Sequence, residues 1–219
     1  MAIQAVLFDV IGTTVMETPG TIHHCFLSAF DQHHIHVASD FIRANRGKEK
    51  REVINLLIKE RNLPPDIGDS IYEEFIWQVK NNINSFSRAE GSEDTFEFLR
   101  HKKIAIGLGT GLSRELFEAI LHHVHWRAAS FEYTATSTEI PLGRPDPAMI
   151  IDLMKRLKIS NPSDVIKVGD TLADIQEGRN AGVITAALLS GTQEKEVLEK
   201  EKPDFMLDSL KDLKKFALS

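Results

Sequence analysis

The chain has 219 residues, 42% hydrophobic and 26% charged, with 13 Gly and 8 Pro, a globular mixture that excludes wholesale disorder, collagen-like repeats and a disulfide scaffold. Lys plus Arg total 26 against 32 Asp plus Glu, a net charge of −6, and with no basic block neither nucleic acid nor an anionic membrane is expected as a partner. The one cysteine, Cys25, cannot close an internal disulfide, the start MAIQAVLFDVIGTT reads as no secretion leader, and no apolar run reaches the ~20 residues of a membrane helix; a cytoplasmic protein is expected.

In chain order, Ala2 to Phe8 is apolar apart from Gln4 and runs into Asp9, which predicts a buried strand with an acid at its carboxyl end. Gly12 and the two threonines after it suit a tight turn. From about Thr21 to Ser85 the spacing becomes helical, with helices over Ile22–Phe30, Glu52–Glu60 and Ile67–Val79 and no strand among them. Pro64-Pro65 separates the second and third, and the asparagines at 81, 82 and 84 mark a frayed end.

After Gly91 strand and helix alternate. Helices are predicted over Glu93–His101, Arg114–Val124 and Ala148–Leu157, around Asp174–Asn180 and near Glu194–Glu199. Strands are predicted at Ile104–Leu108, Tyr133–Ala135, Val165–Val168, Val183–Leu189 and Asp204–Leu207. Alternation at such short intervals means a doubly wound α/β core, a parallel sheet with helices on both faces. The helical block follows its first strand. Residues 1–15 and 88–219 are assigned to the core and 16–87 to a small all-helical cap.

Ligands of open parallel sheets sit beyond the carboxyl ends of the strands, so Asp9, Thr110-Gly111 and Gly169-Asp170 are the residues to read chemically. Asp9 suits attack on phosphorus or cation binding, and equally a strand-ending turn. Asp170 and Asp174 in VGDTLAD would join it at one sheet edge. Three converging carboxylates are costly without a cation, and oxygen ligands with open positions suit Mg²⁺; Asp174 alone would read as a helix N-terminal acid. The Thr110 hydroxyl and the Gly111 amide can hold a phosphoryl oxygen, with Gly12 and Thr13 cradling the phosphate from the first loop. Arg144, in the Gly- and Pro-rich GRPDP loop, can balance charge between the acids and a phosphate, although a solvated arginine is the commoner fate.

Asp9, Thr110, Arg144 and the pair Asp170/Asp174, in that order and each near a strand end, closely resemble the four motifs of the haloacid dehalogenase-like hydrolases, whose Rossmann-like core carries a helical cap inserted after the first motif. The match is tightest in FDVIGTT and IKVGDTLADIQEGRNAG. The resemblance implies that Asp9 attacks phosphorus, that Mg²⁺ is held by Asp9, the Ile11 carbonyl and Asp170 with Asp174 in support, and that water then hydrolyses an aspartyl-phosphate.

One departure bears on the substrate. Phosphatases of this superfamily carry a general-acid Asp two residues after the nucleophile; this chain has Ile11, and such an acid contributes roughly 10²–10⁴-fold. The phosphonoacetaldehyde hydrolase branch tolerates a non-acid there, because a cap lysine forms an imine and the leaving group is an enamine carbon. The chain resembles that branch in GTT, in Arg144, in GDTLADIQEGRNAG and in RGKEKREVI, where Lys50 falls at the imine lysine and reads equally as a solvated helix start, the reading favoured for Lys48. It departs from it at Val53, where the family has histidine, at Pro19, near its cysteine, and at Leu112, where it has an aromatic.

The expectation is a hydrolase of a small phosphonate or phosphorylated metabolite, with C–P cleavage favoured, acting as a monomer or homodimer. Two alternatives stay open: a phosphate-ester phosphatase whose acid comes from elsewhere, and a non-catalytic phosphate-binding regulator. A dehalogenase, which attacks carbon without a metal, does not need the Asp170/Asp174 pair. The nine histidines lack a metal-ligand pattern and read as structural or surface groups, with His23 or His24 near enough to the hinge to reach the cleft. Cys25 reads as a buried, inert thiol, Trp77 as cap packing and Trp126 as helix-end packing. Hinges are expected near Val15–Gly20 and Ser85–Gly91.

Overall fold

The computed structural model describes residues 3–216; Ala2, the first residue of the predicted leading strand, lies outside them. Six parallel strands form the sheet: β1 (Ala5–Asp9), β4 (Ala105–Gly109), β5 (Tyr133–Ala135), β6 (Val165–Gly169), β7 (Ile184–Leu188) and β8 (Phe205–Leu207), in the order β5-β4-β1-β6-β7-β8. Two more strands, β2 (Val15–Glu17) and β3 (Phe86–Arg88), pair antiparallel as a separate ribbon.

The period of two in β1 explains the layers. Val6 and Phe8 point into the larger apolar cluster, with Ile106, Leu108, Ile166 and Val168 from the neighbouring strands. That side is covered by α5 (Ser92–His101) and α6 (Arg114–His123), and Phe96 of α5 meets Phe8 edge-on at 5.5 Å. Ala5 and Leu7 point the other way, onto Met149, Ile150 and Leu153 of α7 (Ala148–Leu157). Both faces of β1 are therefore dry, which is why its sequence is an unbroken apolar run. α8 (Leu172–Ala181), α9 (Lys195–Lys200) and the short α10 (Leu213–Phe216) complete the alternating part of the chain.

Between β2 and β3 the chain is helical: α1 (Thr21–Asp31), α2 (Ser39–Ala44), α3 (Lys50–Glu60) and α4 (Ile67–Asn81). α2 has no counterpart in the sequence pattern, its six residues being too few to display a period. α3 begins two residues before its apolar repeat because Glu49 caps it, accepting the backbone N–H groups of Arg51 and Glu52 at 3.0 and 2.5 Å. Lys50 thus occupies the first helical position. The ribbon β2–β3 falls on the two segments expected as hinges and joins this block to the sheet; Thr18 N–H donates to the Ser85 carbonyl at 2.8 Å and Ala89 N–H to that of Thr14 at 2.9 Å. Strands of three residues are too short to announce themselves.

α1 packs on α4 through Phe26 and Phe75, ring centres 4.5 Å apart. Trp77 corrects the expectation of cap packing: two positions on from Phe75 it lies on the opposite side of α4 and is 57% exposed. Trp126 does pack at a helix end, edge-on to Phe96 and Phe131. Phe75→Ala should therefore cost about 3–5 kcal/mol, whereas Trp77→Ala should change stability by no more than about 0.5 kcal/mol. Urea denaturation of the two variants checks the contrast.

Candidate active site

The order of succession reverses at β1: the chain passes to β4 and β5 on one side, then to β6, β7 and β8 on the other. The loops after β1, β4 and β6 consequently open around one crevice. Asp9 closes β1, Thr110 follows β4, and Asp170 follows β6. Asp174 comes from the first turn of α8, fixed by a capping box in which the Thr171 hydroxyl and N–H donate to its Oδ2 at 2.5 and 3.2 Å.

Ligand oxygens of Asp9, Asp170 and Asp174 lie within 4.8 Å of one another, and all three residues are buried. Arg144, only 4% exposed, is no surface arginine. Its guanidinium donates to Asp9 Oδ1 at 2.7 Å and to the Gly109 carbonyl at 2.7 Å, with Asp174 Oδ1 at 3.3 Å and Glu177 Oε2 at 3.1 Å. Lys167 Nζ lies 2.9 Å from Asp174 Oδ1 and 3.1 Å from Glu177 Oε2. Asp170 is held by hydroxyls, from Thr13 at 2.9 Å and Thr192 at 2.5 Å, and by the Thr192 N–H at 2.7 Å.

The electrostatics follow from this packing. Burial, with Asp9 and Asp174 adding repulsion, pushes Asp170 up to about 7 against the pull of Thr192. Burial also raises Asp9, opposed by Arg144. Burial would raise Asp174 too, but Lys167 and Arg144 outweigh it and hold this carboxyl below its ordinary range. Four buried carboxylates, Asp9, Asp170, Asp174 and Glu177, face two buried cations, Arg144 and Lys167, so with all four acids ionised the cluster lacks two positive charges. One divalent ion supplies that amount, and a donor set of oxygens alone suits a hard cation. The backbone is shaped to the same end: a Cβ at Gly12, where φ is +91°, would stand 2.3 Å from Asp170 Oδ2.

A cavity of about 70 Å³ opens onto Asp9, room for a molecule of a few heavy atoms, since about 10–15 Å³ of such volume holds one water. The core contributes Ile11, Thr110, Gly111, Leu112, Arg144 and Thr192 to its walls. The helical block contributes His23, Phe26, Arg46, Lys50 and Val53, and the ribbon contributes Glu17. Lys50 and Lys48 part here: Lys50 reaches the cavity, its amine donating to the Lys48 carbonyl at 2.9 Å, while the Lys48 amine turns to Asn45. Burial lowers the Lys50 ammonium below its usual range, partly offset by Asp9.

Gly12 and Thr13 form the tight turn after β1. Gly12 N–H donates to the Val15 carbonyl at 2.8 Å, Thr13 N–H to that of Val10 at 3.3 Å, and the Thr13 hydroxyl to Asp170. The turn takes up both backbone N–H groups, and the Thr13 hydroxyl holds Asp170. Of the histidine pair, His23 lines the cavity and His24 is exposed. Cys25 is buried, and burial raises its thiol to about 11, the behaviour of an inert group. Lys167, Glu177, Thr192, Glu17 and Arg46 are absent from the sequence reading. For Lys167 a signal existed, a lysine inside the apolar run VIKVG, and Glu177 follows Asp174 by one helical turn.

The raised Asp170 and Asp9 carboxyls bind protons in the folded chain that the unfolded chain has released above about pH 4. Stability of the metal-free protein should accordingly fall as pH rises from about 4 to 7. A divalent cation should restore it most above pH 7, where the acids must otherwise ionise unpaired. Thermal melting across this range, with and without the ion, checks the sign.

The family described as haloacid dehalogenase-like hydrolase matches residues 6–188. A phosphonoacetaldehyde hydrolase of Bacillus cytotoxicus is 28% identical over 97% of this chain and 85% of its own. One from Bacteroides fragilis is 38% identical over 49% of this chain and 41% of its own. Among solved structures, a phosphonoacetaldehyde hydrolase-like protein of Oleispira antarctica superposes with a TM-score of 0.87 at 21% identity, over 100% of this chain and 92% of its own. A predicted phosphoglycolate phosphatase of Haemophilus somnus superposes with 0.81 at 19%, over 98% and 97%. No helix among the described residues is long and apolar enough to cross a membrane. Since the family match runs from β1 to β7 and takes in every strand that lines the crevice, the chain belongs to the haloacid dehalogenase-like hydrolases.

Proposed function

We propose that the chain is a Mg²⁺-dependent phosphonatase that cleaves the carbon–phosphorus bond of a small aldehyde phosphonate. The observation that carries this reading is that the Asp9 carboxylate and the Lys50 amine open into one small cavity, so that a single short substrate can meet both. The names of the similar Bacillus and Bacteroides proteins favour the same chemistry. In this reading residues 16–87 act as the cap over a core of 1–15 and 88–219.

Asp9, Asp170 and the Ile11 carbonyl would hold Mg²⁺, with Asp174 in support, Asp174 being already engaged by Lys167, Arg144 and Thr171. The bound ion would neutralise phosphoryl charge beside the nucleophile. Arg144 orients the Asp9 carboxylate through its 2.7 Å contact, and Thr110 with Gly111 receives a phosphoryl oxygen. Lys50, its ammonium weakened by burial, condenses with the aldehyde to give an iminium. Asp9 then attacks phosphorus as the C–P electron pair moves into the iminium, leaving an enamine on Lys50 and a phosphoryl group on Asp9. The enamine carbon takes up a proton from solvent to return to the iminium, and water then releases an acetaldehyde-type product from Lys50 and phosphate from Asp9. The departing group is carbon, so the missing acid at Ile11 is no handicap. For a phosphate ester it would be, and that reading survives only if Glu17 or His23 reaches the leaving oxygen.

A panel of phosphonoacetaldehyde and small phosphate esters, run with and without Mg²⁺, tests the proposal. Phosphonoacetaldehyde should be turned over only with the metal, and both Asp9→Asn and Lys50→Arg should reduce turnover to background. Efficient ester hydrolysis with no action on the phosphonate would overturn it.

A further inference from the structure

The imine chemistry of the proposed reaction needs a proton carrier at Lys50, and two side chains that serve the related phosphonatases are replaced by Val53 and, near the first motif, Pro19. Val53 lines the cavity as a buried aliphatic group and Pro19 is exposed, so neither position can move a proton. Apart from Asp9, the only carboxylate in the cavity wall among the described residues is Glu17.

Glu17 ends β2, in register with Phe86 of β3. One of its oxygens, Oε2, accepts the N–H of Ile22 at 2.6 Å, which ties it to the first turn of α1. The other makes no hydrogen bond among the described residues. The charged groups that face it are Arg46, Lys50 and His24, while Cys25 in turn feels its charge. Glu17 and Lys50 line the same cavity and feel each other's charge, and burial raises the Glu17 carboxyl while it lowers the Lys50 ammonium. His23 is the other candidate carrier in the wall; its Nε2 is engaged with Ser39 Oγ at 3.2 Å.

We infer that Glu17 is a catalytic acid–base residue serving Lys50, replacing the proton carriers this chain lacks; the inference rests on the phosphonatase reading. Lys50 as ammonium passes a proton to the Glu17 carboxylate, which frees the nitrogen lone pair. That pair forms the N–C bond while the carbonyl π pair moves to oxygen, and Glu17 gives this oxygen its proton. Glu17 then removes a proton from the nitrogen and delivers it to the carbinolamine hydroxyl. The hydroxyl leaves as water while the nitrogen lone pair closes the C=N bond, so the iminium stays protonated and Glu17 ends as carboxylate. Every proton is accounted for, and no outside reagent is required.

The test is borohydride trapping of phosphonoacetaldehyde on the full chain under single-turnover conditions, followed by peptide mass spectrometry at Lys50. Wild type should be trapped there. Glu17→Gln keeps an acceptor for the Ile22 N–H and so keeps the fold, which circular dichroism verifies, yet it should slow adduct formation by about 10²–10⁴-fold. Glu17→Ala should be slowed as much and partly rescued by added formate. Trapping of Glu17→Gln at the wild-type rate would refute the role of Glu17 while leaving the phosphonatase reading intact, as would a slowing confined to His23→Gln. Absence of any adduct on wild-type Lys50 would refute both.

Discussion

Two buried cations stand among four buried carboxylates, and the rest of the structure is arranged around that imbalance. Arg144 and Lys167 each bridge two or more acids within about 3.3 Å. Charges so far from water are stable only when paired and hydrogen-bonded, which explains why the loops after β1 and β6 are built from small residues and threonines. Gly12 admits the backbone to Asp170, and Thr13 and Thr192 hydrogen-bond Asp170 while Thr171 hydrogen-bonds Asp174. The negative charge that remains when these acids are ionised suits the cluster of Asp9, Asp170 and Asp174 to a divalent ion.

The same cluster is linked to the helical block. Arg46 donates to the Thr192 carbonyl at 2.5 Å, and Thr192 itself grips Asp170. Gly47 lies so near α8 that a Cβ there would come within 2.4 Å of the Thr171 hydroxyl. The segment that carries Lys50 therefore rests on the loops that present the acids, and the small cavity between them exists because of this contact. Its walls combine strand-end residues of the sheet, Asp9 and Thr110 among them, with residues of the helical block such as Lys50 and Val53.

The buried strands and the alternation after Gly91 were legible because two-sided burial leaves uninterrupted apolar runs and helices leave a 3.6 period. So were Asp9, Thr110, Arg144, Asp170 and Asp174, each set at a strand end or in a short motif; the structure brings all five to one crevice. What escaped was whatever depends on the partner of a short segment. The ribbon β2–β3 pairs residues some 70 positions apart, and Glu17 enters the cavity only because of that pairing. Thr192 meets Asp170 across a loop with no pattern of its own. Trp77 departs from the expected packing because its position on α4 turns this large apolar side chain outward.

In the proposed reaction Asp9 supplies the oxygen that attacks phosphorus. Rapid acid quench of the wild-type chain during turnover of phosphonoacetaldehyde with Mg²⁺, followed by mass analysis of the peptide containing Asp9, addresses this directly. A transient phosphoryl group on Asp9, formed and lost at rates consistent with turnover, is the predicted result; phosphate release with no phosphorylated Asp9 at any time point would contradict it.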